Sequence, residues 1–288
     1  MTNSELNWSK WLEKSRFDYM TEEQKQQTMN WLFSVRNAVL SNANIKYNDV
    51  VIDIGTGNGL LAFGAIEKIS NQGRVIFSDK FEDCVETCKS IAEEMNISKP
   101  HDFLLSDCCD IKLPNNYVDK ALMRSVLVHV LDKKQAFSEI YRVLKPNGVF
   151  SAFEPIIRSN TRCWELVSSR DISDYSDFKN AEDEFMSLET DPLTNFDETT
   201  ISRDLEEIGF SDGVLDKQVV ASSYVVQKGM VESWLKIPPS PGTKTSKEKY
   251  LMYFEEPKVD RYISELQQAL ENKTITIKSN VLYIKAIK

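Results

Sequence analysis

Histidine is nearly absent from this chain. His101 and His129 are the only two among 288 residues, and the five cysteines, Cys84, Cys88, Cys108, Cys109 and Cys163, include no Cys-x-x-Cys pair. A structural metal site needs four spaced ligands, commonly such pairs or cysteine with histidine, so no metal is expected. An odd cysteine count argues against a disulfide framework and for reduced thiols. Positive charge is also in short supply. With 35 Lys and Arg against 44 Asp and Glu, the net charge of −9 disfavours a nucleic-acid backbone as partner, because such binders carry a basic excess. No stretch approaches the roughly 18 apolar residues of a membrane span. The polar start "MTNSELNWSKWLEK" lacks the apolar run of a signal peptide. A cytoplasmic chain outside the membrane is the expectation, and its oligomeric state is left open.

What is present is ordinary globular material, 41% hydrophobic and 27% charged, enough to bury one large core or one core with a smaller lid. From about residue 49, short β-rich runs alternate with helical stretches, the pattern of a parallel sheet with crossover helices. Strands are predicted at 49–54, 74–79, 102–106, 118–123 and 148–154, with helices over 60–70, 81–95 and 133–144, the last stopped by "KPNG". Ahead of them, "EEQKQQTMNWLFSVRNAVLSNA" places Met29, Leu32, Val35 and Val39 at helical spacing, widened by Phe33 and Leu40, and predicts a capping helix. Beyond residue 155 the alternation breaks into two long insertions, around a helix "ETTISRDLEEIGF" and a strand-like "VLDKQVVASSYVV", before the closing strand "SNVLYIKAIK". Insertions of that length exceed plain turns and read as a substrate-covering lid.

The sharpest chemical signal is "VVIDIGTGNGL", an apolar strand, then Asp53, Gly55, Thr56, Gly57 and Gly59, then an apolar helix. Alternate glycines let the backbone turn tightly and let a ligand approach without Cβ obstruction. After a first strand, the loop falls at the carboxyl edge where α/β folds bind ligands. A dinucleotide loop would carry its third glycine at position 60, where this chain has Leu60. Asp53 suits a cationic or amino-bearing ligand better than a pyrophosphate. The loop favours S-adenosylmethionine over NAD.

Together with "FSDK", "SDCCDIKLPNNYVDKALM" and "RVLKPNGVFSAFEP" in that order, the loop makes residues 45–155 resemble class I S-adenosylmethionine-dependent methyltransferases, in the group around the ubiquinone and menaquinone biosynthesis enzymes. The resemblance implies an α/β, Rossmann-like, seven-stranded sheet, mostly parallel with its last strand antiparallel. It divides the chain into a helical cap (1–44), the cofactor core (45–155), a lid insertion (156–197), a core continuation (198–226), a second lid insertion (227–276) and a final core strand (277–288). It implies that Gly55, Thr56, Gly57 and Gly59 frame the methionine part of the cofactor and that Asp53 orients the loop or the amino group. Asp79, 20 residues after Gly59, matches the acid that accepts from both ribose hydroxyls, with Lys80 flanking the adenine; the competing reading of Asp79 is a helix N-cap. Asp107 matches the acceptor for the adenine amine, and Cys108 would supply a backbone N–H to the ring. Met123 and Arg124 would lie near the sulfonium. S-adenosylhomocysteine is the implied product.

On the acceptor side, the same position in the fold points to Arg124, His129 and Glu154 as candidate catalytic residues, with Trp164, Tyr175 and Trp234 as lid aromatics. His129 could remove an acceptor proton or simply pack at a helix start. The N-terminal Trp8, Trp11, Arg16, Phe17 and Tyr19 either close over the cofactor or dock as an amphipathic helix. Cys84 and Cys88, one helical turn apart, read as a buried face. The acids between Asp171 and Asp177 could attract a cationic substrate or simply face solvent. With no acid directly after the fourth strand, a catalytic magnesium is not expected. The function expected is methyl transfer to O, N or C of a small molecule. The alternatives are a macromolecular acceptor and a protein that binds the cofactor without catalysis.

Overall fold

The computed structural model describes residues 8–14, 17 and 20–288, so Arg16 and Tyr19 lie outside the described residues. The helices are α1 (Trp8–Glu13), α2 (Glu22–Ala43), α3 (Leu60–Lys68), α4 (Glu82–Glu94), α5 (Lys133–Val143), α6 (Tyr175–Phe185), α7 (Glu198–Ile208), α8 (Met230–Lys236), α9 (Ser246–Tyr250) and α10 (Glu256–Leu270). The strands are β1 (Val50–Ile54), β2 (Arg74–Asp79), β3 (His101–Leu105), β4 (Val118–Arg124), β5 (Leu144–Pro155), β6 (Ser211–Val225) and β7 (Thr274–Ile287). The chain divides into two units. The first holds residues up to Pro155 with Phe196–Gln218 and Val281–Lys288; the second holds Ile156–Asn195 and Val219–Asn280.

One seven-stranded sheet runs in the order β3-β2-β1-β4-β5-β7-β6. β1 pairs in parallel with β2 and β4, β2 with β3, and β4 with β5, while β7 runs antiparallel to β5 from Val149↔Ile287 to Pro155↔Val281. The central strands read as continuous apolar runs because both faces are covered: Val51, Ile52, Val75, Ile76, Phe77, Ala121 and Leu122 are all buried. Strand order reverses beside β1, between β2 and β4, which opens the carboxyl edge at that point for a ligand.

Local sequence explains most of the element ends. Thr21 and Gln24 form a reciprocal capping box that starts α2. The inward stripe of α2 begins later than its spacing suggests. Leu32, Val35, Val39, Leu40 and Ala43 are buried, whereas Met29 and Phe33 are 36% and 41% exposed; the Arg36 guanidinium lies 5.0 Å from the Phe33 ring and shields it. The "KPNG" stop also differs from expectation. α5 ends at Val143 and β5 starts immediately at Leu144, so the Pro-Asn-Gly segment forms an irregularity inside the β4–β5 ladder, where pairing jumps from Val118↔Leu144 to Lys120↔Val149. Asn147 takes φ 64° there, a left-handed conformation that Asn tolerates.

The second unit has its own core, with Phe178 stacked on Tyr262 at 3.7 Å between centroids and Tyr250 and Phe185 edge-on around them. Ile172, Val231, Leu235, Val259, Leu266 and Ile275 complete it. Among the described residues no helix is long and apolar enough to cross a membrane.

Candidate functional site

Four strand ends of the first unit meet at the carboxyl edge of the sheet. The loop after β1 carries Gly55, Gly57 and Gly59 at φ 67°, 54° and 82°, values that L side chains adopt at a cost. Space enforces the same choice at Gly55, where a Cβ would stand 2.3 Å from Val126 Cγ2. A Cβ on Gly57 would stand 2.8 Å from Leu12 Cδ1.

Two carboxylates hold this loop. Asp53, buried at the end of β1, accepts from Thr56 Oγ1 at 2.8 Å and from the Ala62 N–H at 3.0 Å through the same oxygen. It thus ties the loop to the first turn of α3. Burial outweighs those donors and raises its pKa to about 7. Asp79, at the end of β2, accepts from the Gly57 N–H at 2.9 Å with one oxygen and from the Phe81 N–H at 3.0 Å with the other. Burial raises its pKa too, against the pull of those N–H groups. The N-cap of α4 is Phe81, so Asp79 is not the cap residue. Below the loop, Cys88 Sγ donates to the Gly57 carbonyl at 3.2 Å; Cys84 and Cys88 are both fully buried on α4, and burial pushes the Cys88 thiol up to about 12.

After β3, the Asp107 side chain is exposed and its Oδ1 accepts from the Cys109 N–H at 2.8 Å, while Cys108 is buried. At the end of β4, Met123 is buried and Arg124 half-buried, and Ser125, just beyond, takes φ 54°. Burial lowers the Arg124 pKa while Glu154 and Asp53 push it up; a guanidinium stays charged throughout. Glu154 differs most from its expected place. It is fully buried, and its carboxylate accepts from the N–H groups of Val126, Leu127 and Val128 at 2.8, 3.1 and 3.2 Å. It clamps the turn after β4, which removes it from the groups available to an acceptor. Burial, countered by those three donors, raises its pKa to about 7.

His129 closes that turn. It is half-buried, and burial together with the charges of Lys80 and Lys133 lowers its pKa to about 4. Trp8 of α1 meets it edge-on at 5.0 Å and stacks on Phe81 at 5.1 Å. The Ser9 N–H donates to Asp83 at 2.8 Å, so α1 docks on the start of α4. Lys80 is exposed, with its ammonium 5.2 Å from the Phe81 ring. The structure therefore assembles Asp53, the glycine loop, Asp79, Arg124 and His129. Val126, Phe81 and Leu12 were not singled out from sequence. Phe81 could have been suspected beside Asp79; Val126 and Leu12 act through long-range contacts that leave no local pattern.

The expected lid aromatics are satisfied within the second unit. Trp164 Nε1 donates to Asp183 at 3.0 Å, the Tyr175 hydroxyl to the Trp164 carbonyl at 3.3 Å, and Trp234 meets Tyr224 edge-on. The acids of the insertion are also occupied. Asp174 pairs with Arg261 and Lys258, and Asp177 with Lys258.

The model of the methyltransferase domain family matches residues 45–219, more than half of the chain. The chain belongs to the methyltransferase family. This methyltransferase chain is 26% identical over 136 residues to the ubiquinone/menaquinone biosynthesis C-methyltransferase UbiE of Francisella tularensis subsp. novicida, covering 46% of this chain and 54% of that one. It is 24% identical over 174 residues to the UbiE of Francisella philomiragia, covering 57% and 70%. It thus spans about half to two-thirds of the curated relatives it matches. Among solved structures, the YcgJ protein of Bacillus subtilis aligns with a TM-score of 0.59 at 16% identity, over 88% of this chain and 98% of that one. The Haemonchus contortus phosphoethanolamine N-methyltransferase 2, determined with S-adenosylhomocysteine, aligns at 0.54 and 18%, over 94% and 58%; these two show the fold.

S-adenosylmethionine is the cofactor of this class I family, and the residues fit it. A carboxylate stands second to last in β1 and another ends β2, and Asn58 Oδ1 is a buried acceptor with no partner among the described residues. That set suits a ligand bearing an ammonium group and hydroxyls.

Proposed function

We propose that this methyltransferase moves a methyl group from S-adenosylmethionine to an O, N or C atom of a small-molecule acceptor. The observation that carries the reading is the bond between Asp79 and the Gly57 N–H, which makes a ribose-reading acid and a methionine-framing loop one element. Gly55, Thr56, Gly57 and Gly59 would frame the methionine part, with Asp53 fixing the loop from behind. Asp79 would accept from the ribose hydroxyls with its remaining lone pairs. Asp107 would read the adenine amine, with the Cys108 N–H on the ring and Lys80 alongside. Met123 and Arg124 would face the reacting end. The cofactor supplies an electrophilic methyl group, so the protein's share is alignment and exclusion of water. His129 is neutral at pH 7 and a weak base, which favours acceptors whose nucleophile needs little help in losing a proton. The names of the curated relatives support a small-molecule acceptor.

The test is incubation of the purified chain with methyl-labelled S-adenosylmethionine and a cell extract, followed by separation of small molecules from macromolecules. Label in the small-molecule fraction is expected. Label confined to protein or nucleic acid would replace the acceptor class. Tight cofactor binding with no label anywhere would leave a binding protein.

A further inference from the structure

The adjacent thiols of "SDCCD" take no part in the proposed transfer, yet the fold arranges them. The turn after β3 is locked by four hydrogen bonds. The Asp110 N–H donates to the Asp107 carbonyl at 3.1 Å and the Cys109 N–H to Asp107 Oδ1 at 2.8 Å; Ser106 Oγ donates to the Asp110 carbonyl at 3.1 Å and accepts from the Lys112 N–H at 2.9 Å. In that turn Cys108 Sγ, Cys109 Sγ and a carboxylate oxygen of Asp107 all lie within 4.8 Å of one another. Among the described residues no other trio of cysteine, histidine or acid is so disposed.

We propose that Asp107, Cys108 and Cys109 bind one thiophilic divalent cation of the zinc type, and that the bound cation competes with the cofactor for Asp107. The competition rests on the adenine-reading role given to Asp107 above; the cation site does not. Two sulfurs each about 2.3 Å from a tetrahedral zinc stand about 3.8 Å apart, and a sulfur and a carboxylate oxygen about 3.5 Å apart, so the three donors need to close by about 1.3 Å at most. Side-chain rotation within a fixed turn supplies that. Two thiolates select a soft ion over magnesium or calcium. Three protein ligands leave the fourth position to water, and half-buried Cys109 and exposed Asp107 keep it open to solvent. Binding forms two sulfur–metal bonds and one oxygen–metal bond, releases the two thiol protons to solvent and moves no electrons.

The test is titration of the full, reduced chain with cadmium, read as thiolate-to-metal charge-transfer absorption, with zinc as competitor and S-adenosylhomocysteine affinity measured in parallel. One equivalent of cadmium should saturate the band, and Cys108→Ser and Cys109→Ser should each weaken cadmium binding at least tenfold. Saturating cadmium should weaken S-adenosylhomocysteine at least tenfold in the wild type, with no such effect in Cys109→Ser, whose metal-free affinity should match the wild type. No band, or a band that survives both substitutions, overturns the site. A saturable band with unchanged S-adenosylhomocysteine affinity overturns the competition. If Asp107→Ala leaves metal-free S-adenosylhomocysteine affinity unchanged, the cofactor role of Asp107 fails while the cation site stands.

Discussion

Asp79 Oδ2 accepts the Gly57 N–H at 2.9 Å, so the last residue of β2 holds the middle glycine of the loop after β1. Asp79→Ala removes that acceptor and the one for Phe81, leaving N–H groups without partners. It should weaken S-adenosylhomocysteine binding at least tenfold by calorimetry and cost about 1.5–3 kcal/mol of stability, the range for a hydrogen bond to a charged group. Unchanged affinity would refute the ribose placement even if the melting temperature fell.

Gly55 faces two separate obstacles to a side chain, its φ of 67° and the Val126 methyl 2.3 Å from a built Cβ. Gly55→Ala should therefore destabilise by more than the roughly 1–2 kcal/mol of a left-handed alanine. Val126→Ala added to it should recover the steric part and leave the conformational part. Denaturant melts of the single and double variants separate the two, and an equal cost in both would mean that Val126 yields freely.

How much of this was legible in the sequence follows from the range of each interaction. The glycine loop, Asp79 and the strand alternation are local patterns, and the sheet order follows once the family resemblance is recognised. The clamp by Glu154 was not legible: an acid at a strand end looks available until the chain brings Val126, Leu127 and Val128 onto it. The same holds for Val126 against Gly55, separated by some 70 residues of sequence. The exposure of Met29 and Phe33 was missed because helical spacing predicts a face, and only packing decides how far along the helix that face is covered. The left-handed Ser125 gave no signal, since serine is not a residue that marks that conformation.

Glu154 titrates in a window that stability can report. Its folded pKa of about 7 lies above the ordinary 4.5, so the folded state holds its proton longer than the unfolded state does. Stability should therefore fall as pH rises from about 4.5 to about 7. Glu154→Gln cannot titrate and should show a flatter profile over that window in urea melts. An unchanged slope would mean that the three N–H donors keep Glu154 ionised throughout.

Trp8 lies edge-on to His129 at 5.0 Å, and burial is the main cause of that histidine's pKa of about 4. The sign is opposite to that of Glu154. With the folded pKa below the ordinary 6.5, folding excludes a proton, and stability is lost as pH falls from about 6.5 to about 4. Trp8→Ala opens the ring to water and should move the His129 pKa up toward 6.5, a shift that proton NMR resolves readily because His101 is the only other histidine. If His129 served as general base in the wild type, the rate limb would fall near pH 4, leaving turnover insensitive to its titration between pH 6 and 8. A limb near 6.5 in the wild type that moved with Trp8→Ala would contradict the buried, neutral imidazole, and an unmoved NMR pKa would show that α1 does not supply the burial.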